Sequence, residues 1–233
     1  MTVTPAIYEW RRSIVPRDQL VIAGRAAQSG GMTLGGALTS YGVAGGRIML
    51  DMAFSTLKRE ANTDASWTYS QVMAQEILRI PIRCSDQLVP SADLGGAALA
   101  DGIPWDGGQP WATGENWAWS PFAPLAADAL RGAETFTVDM SDAGQVLDLG
   151  HVIGFAKGVV ETAHVVMAIE YDADDVATVT VQPSLRRAMD AGDQMLFRPS
   201  ILATCQNPEA LAATFSYGRY TQPGAVRFVE ALL

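Results

Sequence analysis

Between Arg47 and Phe54 the chain reads RIMLDMAF, with Ile48, Leu50, Met52 and Phe54 on one side of an alternation and Met49, Asp51 and Ala53 on the other. A period of two marks a half-buried strand, so a strand begins here. The next segment, NTDASWTYSQVMAQEIL from Asn62 to Leu78, changes period. It opens on capping residues and carries Tyr69, Val72, Met73 and Ile77 at helical spacing, which predicts one amphipathic helix over 62–78 packed on a sheet. Ile80, Ile82 and Cys84 then alternate across Pro81 into another strand, and the proline suits an edge or a strand beginning.

Elsewhere the pattern is looser. The apolar patch Val21–Gly24 is followed by AGRAAQSGGMTLGGALTSYGVAGG, where small residues dominate and neither period survives. An extended loop is expected; glycine at this density leaves backbone free to lie flat on another surface, so the loop is either a contact arm between subunits or an ordinary flexible connection. From Gln87 to Pro124 no period is sustained. Beyond a short helical piece, PLAADAL, the chain becomes strand after strand: ETFTVDM, HVIGFA, AHVVMAIEY, ATVTV, QMLF and ILATC. The pair around Tyr171–Asp175 reads as a hairpin, since apolar alternation stops at the acidic cluster and resumes at Val176. AVRFVEALL offers a last strand, with Val226 and Phe228 facing one way and Val229 and Ala231 the other.

These elements predict an α+β, mainly β protein: a small antiparallel β-barrel or sandwich, a β-sheet with one amphipathic helix, and a long Trp/Gly-rich loop. At 233 residues the chain can bury a real core without a disulfide or metal staple. Cys84 and Cys205 are its only cysteines, too few for an oxidised framework. The N-terminus meets Glu9 and two arginines before any apolar run long enough for a signal sequence, and no stretch approaches about 18 apolar residues, so a protein made in the cytoplasm and not inserted in membrane is expected. The charge, 16 basic against 25 acidic residues for a net −9, works against neutralising phosphates, so no sequence-specific nucleic-acid binding is expected.

Candidate chemistry is sparse. The only histidines, His151 and His164, fall in predicted strands, and no G-x-S-x-G exists to pair with them. H-E-x-x-H and C-x-x-C are absent, and the cysteines lie 121 positions apart, so neither a catalytic residue nor a metal site nor a cofactor is expected. Asp172, Asp174 and Asp175 lack the glycine and downstream glutamate of a calcium-binding hand and read as a solvated turn.

One constellation remains. The stretch IPWDGGQPWATGENWAW, Ile103–Trp119, holds four of the six tryptophans. Trp105, Trp111 and Trp117 recur every six residues, Gly108 and Gly114 hold the same place in each unit, and Trp119 follows. Exposed indoles stack on sugar rings; buried ones plug a loop onto the protein body or a neighbouring subunit, each covering about 150 to 250 Å². At about 25 cal/mol per Å², leaving four in water forgoes several kcal/mol, which favours packing or subunit contact by Trp105, Trp111, Trp117, Trp119, Gly108 and Gly114 over a carbohydrate-binding module that contacts the host surface.

The order of motifs after Gly132 resembles a known family. GAETFTVDM, GQVLDLGHVIGF, the Asp-rich hairpin, a strand ending in PSLRRA, the AGD turn and an apolar strand before RPSILATCQNP together look like the small barrel in tail-tip proteins of long-tailed bacteriophages and phage-like gene transfer particles. GGRIMLDMAF, the helix containing Trp67 and the Trp/Gly units resemble that family's upstream strand, helix and loop repeats. The loop here carries Trp where Phe or Tyr with Ser-Asp-Gly is the expected pattern, and residues 1–46 match little. The resemblance implies a distal tail protein: a non-catalytic, hexameric ring subunit of the virion tail tip (baseplate) that joins the tail tube protein to the tail hub protein. It further implies a ring-forming sheet with helix in 1–86 and 207–233, an extended Trp/Gly-rich loop in 87–130 and a small barrel in 131–206.

Overall fold

A computed structural model of the chain describes residues 6–11, 13–24, 27–32, 38–42, 46–54, 62–83, 122–141, 143–158, 160–211, 214–216, 220–222 and 224–231. Among these the protein is mainly β with one α-helix, as the hydrophobic pattern predicts. Two six-stranded sheets carry the fold.

The first sheet contains β1 (Ile7–Glu9), β2 (Asp18–Ala23), β5 (Ile48–Ala53), β6 (Ile77–Pro81), β13 (Ser200–Cys205) and β16 (Val226–Glu230), in the spatial order β1-β6-β13-β16-β5-β2. The alternation at 47–54 is realised residue by residue: Ile48, Leu50, Met52 and Phe54 are buried, and Met49, Asp51 and Ala53 are half-buried. Val226 and Phe228 on β16 pair with Met52 and Leu50, so both strands turn the same face to one core. Trp10 seals that core, stacked on Phe54 at 6.1 Å, edge-on to Phe228 at 5.6 Å, and donating Nε1–H to the Ile14 carbonyl at 2.8 Å.

The helix α1 (Asn62–Met73) lies against this core through Val72, with Ala65 and Tyr69 packed beside it. It ends earlier than the period suggests. Gln75 adopts φ 57°, in the left-handed region, and turns the chain out of the helix, so Ile77 begins β6 and Met73 is half in solvent. Apolar residues of a buried strand continued the helical spacing by coincidence.

The second sheet, in the order β7-β12-β9-β10-β11-β8, contains β7 (Phe122–Pro124), β8 (Thr135–Asp139), β9 (Val152–Lys157), β10 (Val160–Tyr171), β11 (Val176–Gln182) and β12 (Gln194–Leu196). It curls until its ends meet: Leu125 bridges Val138, and Ala126 donates its N–H to the Thr137 carbonyl at 3.0 Å. Phe136, Val138, Ile153, Phe155, Val179, Val181, Met195 and Phe197 fill the interior. PLAADAL is not helical; Leu125 and Ala129 make bridges to Val138 and Met189 instead. Seven residues are too few for a helix to hold without a packed face, and the backbone partners offered by neighbouring strands win.

Two of the expected boundaries move. Phe122–Pro124 is the edge of the second sheet, although it fell in the loop 87–130. Ser200–Cys205 belongs to the first sheet, although it fell in the barrel 131–206, because Ile201, Ala203 and Cys205 point into the first core between β6 and β16. The expected loop after Ala23 holds two strands, β3 (Ala27–Met32) and β4 (Leu38–Gly42), which pair with each other as a separate two-stranded sheet. Main-chain hydrogen bonds make a hairpin without side-chain periodicity, so small residues concealed it. A 3₁₀ turn at Pro208–Leu211 and a small hairpin of β14 (Thr214–Ser216) and β15 (Tyr220–Gln222) precede β16.

The two sheets share a junction. Val152 on β9 and Ala163 on β10 belong to the first core, and Ile82 donates its N–H to Pro199 O at 2.9 Å. At Gly154 a Cβ would meet Pro199 and sit 2.5 Å from the Thr162 carbonyl, so only glycine allows the segment entering β13 to cross β9. Glu161 on β10 accepts from Ser200 and pairs with Arg79 on β6 at 2.7 Å, and Arg79 also pairs with Glu9.

Candidate functional site

Trp105, Trp111, Trp117, Trp119, Gly108 and Gly114 lie outside the described residues, as does Cys84. Their grouping therefore stays an expectation from sequence.

His164 is a sealed core residue. With no exposed surface, its Nδ1 lies 2.7 Å from the Pro183 carbonyl and its Nε2 lies 3.0 Å from Thr162 Oγ1, beside the Phe155 ring. Burial pushes its pKa down to about 4; the Pro183 carbonyl pulls the other way, and the nearby Arg186 charge adds to the lowering. No substrate reaches it. His151 is half-buried just before β9 and accepts at Nδ1 from the Asp148 amide at 3.1 Å. The acidic turn is occupied by its own backbone: Asp172 Oδ1 accepts from the amides of Asp174 at 2.9 Å and Val176 at 2.8 Å, and Asp175 takes φ 56°. Among the described residues no cluster of three or more His, Cys, Asp or Glu is arranged to hold a metal ion, and no helix is long and apolar enough to cross a membrane.

At the junction, Glu230 is buried while carrying a carboxylate. Its Oε2 accepts from the Ile48 amide and from Arg186 Nη2, each at 3.2 Å, so the last strand of the first sheet is tied to the segment after β11. The sequence shows Glu230 only as one acid among apolar residues. Its partner, 44 positions away, carries no local signal.

The outer face of the first sheet carries a groove of about 550 Å³ whose floor is the Asp51–Arg227 pair. Arg227 holds Asp51 through Nε and Nη2, both at 2.6 Å, and this guanidinium keeps the Asp51 carboxyl below its ordinary range. Asn207 closes one end, accepting from the Arg227 amide at 2.7 Å and donating to Ala225 O at 3.0 Å. Leu20 on β2 stands at the rim, 61% exposed. Lys157 is held at the mouth of the barrel by Asp190 and Asp193, both at 2.7 Å.

Strand edges are the other exposed chemistry. Among the described residues β2 pairs only with β5, and β3 and β4 pair only with each other. At the opposite border, β1 runs parallel to β6 for three residue pairs, after which Trp10 donates to Arg79 O at 3.0 Å. Further along β6 the side-chain amide of Gln19 takes over, donating from Nε2 to Pro81 O at 3.2 Å and accepting at Oε1 from the Arg83 amide at 2.7 Å. The sequence marked Pro81 as an edge or a strand beginning, whereas it is the last residue of β6; Gln19 carried no signal. Exposed Met167, on the interior strand β10, and Leu149 add apolar surface where Gly150 donates to Val166 O at 2.8 Å.

No known protein family matches the chain, and no characterised protein matches it in sequence.

Proposed function

We infer that this chain is a structural subunit of a phage-type tail tip, a ring component that joins the tail tube to the hub and works by assembly. The observation that carries the reading is the hairpin β3–β4, a two-stranded sheet with no other strand partner among the described residues, rooted on the edge strand β2. An isolated two-stranded hairpin is marginal in water, so such an arm gains its stability from a surface it lies on. A ring subunit supplies that surface on its neighbour, through a heterologous contact whose rotation closes. The order of motifs from Gly132 to Pro208 supports the same reading, and so does the acidic balance, which suits a channel through which DNA slides without sticking.

The test is self-association and binding to tail components. Mass photometry and negative-stain imaging of the purified chain, alone and with tail tube and hub proteins, should show a closed ring of about six copies. A chain that stays monomeric under all these conditions, and whose tryptophan fluorescence is quenched by host polysaccharide, would replace the ring reading with a carbohydrate-binding one.

A further inference from the structure

The contact between Gln19 and β6 has the form of a missing strand. In a parallel ladder, one residue donates its N–H to a carbonyl on the partner strand and accepts at its own C=O from the amide two residues further on. The Gln19 side-chain amide makes that pair of bonds to Pro81 O and the Arg83 amide. Pro81 explains why β1 does not make them itself. Having no N–H, it offers nothing to the Trp10 carbonyl, and the ladder ends at Trp10.

The span matters too. A glutamine side chain reaches roughly 5 Å from its Cα, built from bonds of about 1.5 Å. With a hydrogen bond of about 3 Å added, the amide spans at most roughly two strand spacings of about 4.8 Å, the width that one intervening strand needs. On the β2 side, Gly24 donates to Arg47 O, and the register from Asp18 with Ala53 to Ala23 with Ile48 leaves the backbone groups of Gln19, Val21 and Ala23 turned away from β5.

We propose that the gap between β2 and β6 is a slot for one strand, held shut in the free subunit by the Gln19 amide and entered during assembly by an extended segment of the arm Ala27–Gly42 of a second copy. The proposal rests on the ring reading and adds its regulation: Gln19 is an autoinhibitory contact that shields a strand border until a neighbour displaces it. The arm suits the slot. In a chain with 16 basic and 25 acidic residues, positions 27–42 contain no Asp, Glu, Lys or Arg, so no charge is desolvated on entry, and its glycines let backbone lie flat between two strands.

The experiment compares the full-length wild type with Gln19→Ala and with Gln19→Asn, which keeps the amide but is one methylene too short to bridge. Hydrogen exchange at the Arg83 amide is followed in the dilute monomer, and the concentration for ring formation by mass photometry. Both variants should exchange the Arg83 amide about tenfold faster as monomers and form rings at about five-fold lower concentration, because an internal competitor has been removed. A wild type that forms rings while both variants form them at the same or a higher concentration overturns the slot and leaves the ring reading standing. A wild type that never forms rings, alone or with tail tube protein, overturns both.

Discussion

Arg186 Nη2 lies 3.2 Å from Glu230 Oε2, so a cation following the second sheet's β11 neutralises a carboxylate buried in the first core. Removing only the cation leaves that carboxylate buried without its charge partner. Arg186→Leu should therefore destabilise the protein by about 3 to 5 kcal/mol, while replacing both members in Arg186→Met/Glu230→Leu should cost much less. Urea unfolding of the two variants measures the difference; equal losses would mean that the pair contributes packing only.

The pH dependence of stability should carry the signature of His164. Its pKa in the folded protein is about 4, below the ordinary value of 6.5 that the unfolded chain restores. Between those values the unfolded chain binds the proton and the folded one does not, so stability is intact above pH 6.5 and falls as pH drops toward 4. At about 1.4 kcal/mol per pH unit, this single group removes roughly 2 to 3 kcal/mol between pH 7.5 and 4.5. A His164→Gln variant should lack that part of the slope in urea titrations at the two pH values.

Gly154→Ala should loosen the join between the sheets. The added methyl meets Pro199 and the Thr162 carbonyl, neither of which is the free end of a flexible side chain. An overpacking cost of about 1 to 3 kcal/mol is expected, and proteolysis should then cut near Arg198–Ser200 before the rest of the chain. An alanine variant with unchanged midpoint and unchanged cleavage would show that Pro199 moves aside without cost.

Cys205 should be slow to react. Its thiol is buried, and burial pushes its pKa up to about 11, with a hydrogen bond from its surroundings near Asn207 opposing the rise and Glu209 adding to it. At pH 8 the reactive thiolate is roughly a hundredfold to a thousandfold scarcer than for a free cysteine. Peptide-level alkylation should label Cys205 only after denaturant is added.

How much of this was legible in the sequence follows from range. Ile48 to Phe54 alternate because each residue answers to the same buried face, and that pattern is local. The hairpin at Tyr171–Val176 was equally plain, since its turn is made by Asp172 and Asp175 within the turn itself. Met73 and Ile77 misled, because a buried strand following a helix without a glycine or proline carries the apolar spacing onward. Val152 and Ala163 gave no hint that they serve the other sheet's core. Gln19 was silent for a different reason: a side chain that stands in for backbone needs only reach and an amide, and the position it completes is 62 residues away. The tryptophan units, the loudest motif in the sequence, lie outside the described residues.

Pro199 sits where the chain leaves one sheet for the other, hemmed against Gly154 and accepting at its carbonyl from Ile82. With Glu161 braced by Ser200 and Arg79, the same crossing carries a charge-assisted tie beside the close backbone approach. Tension applied to either sheet meets these contacts first, so the corner at Pro199 is where a pull on one sheet is handed to the other.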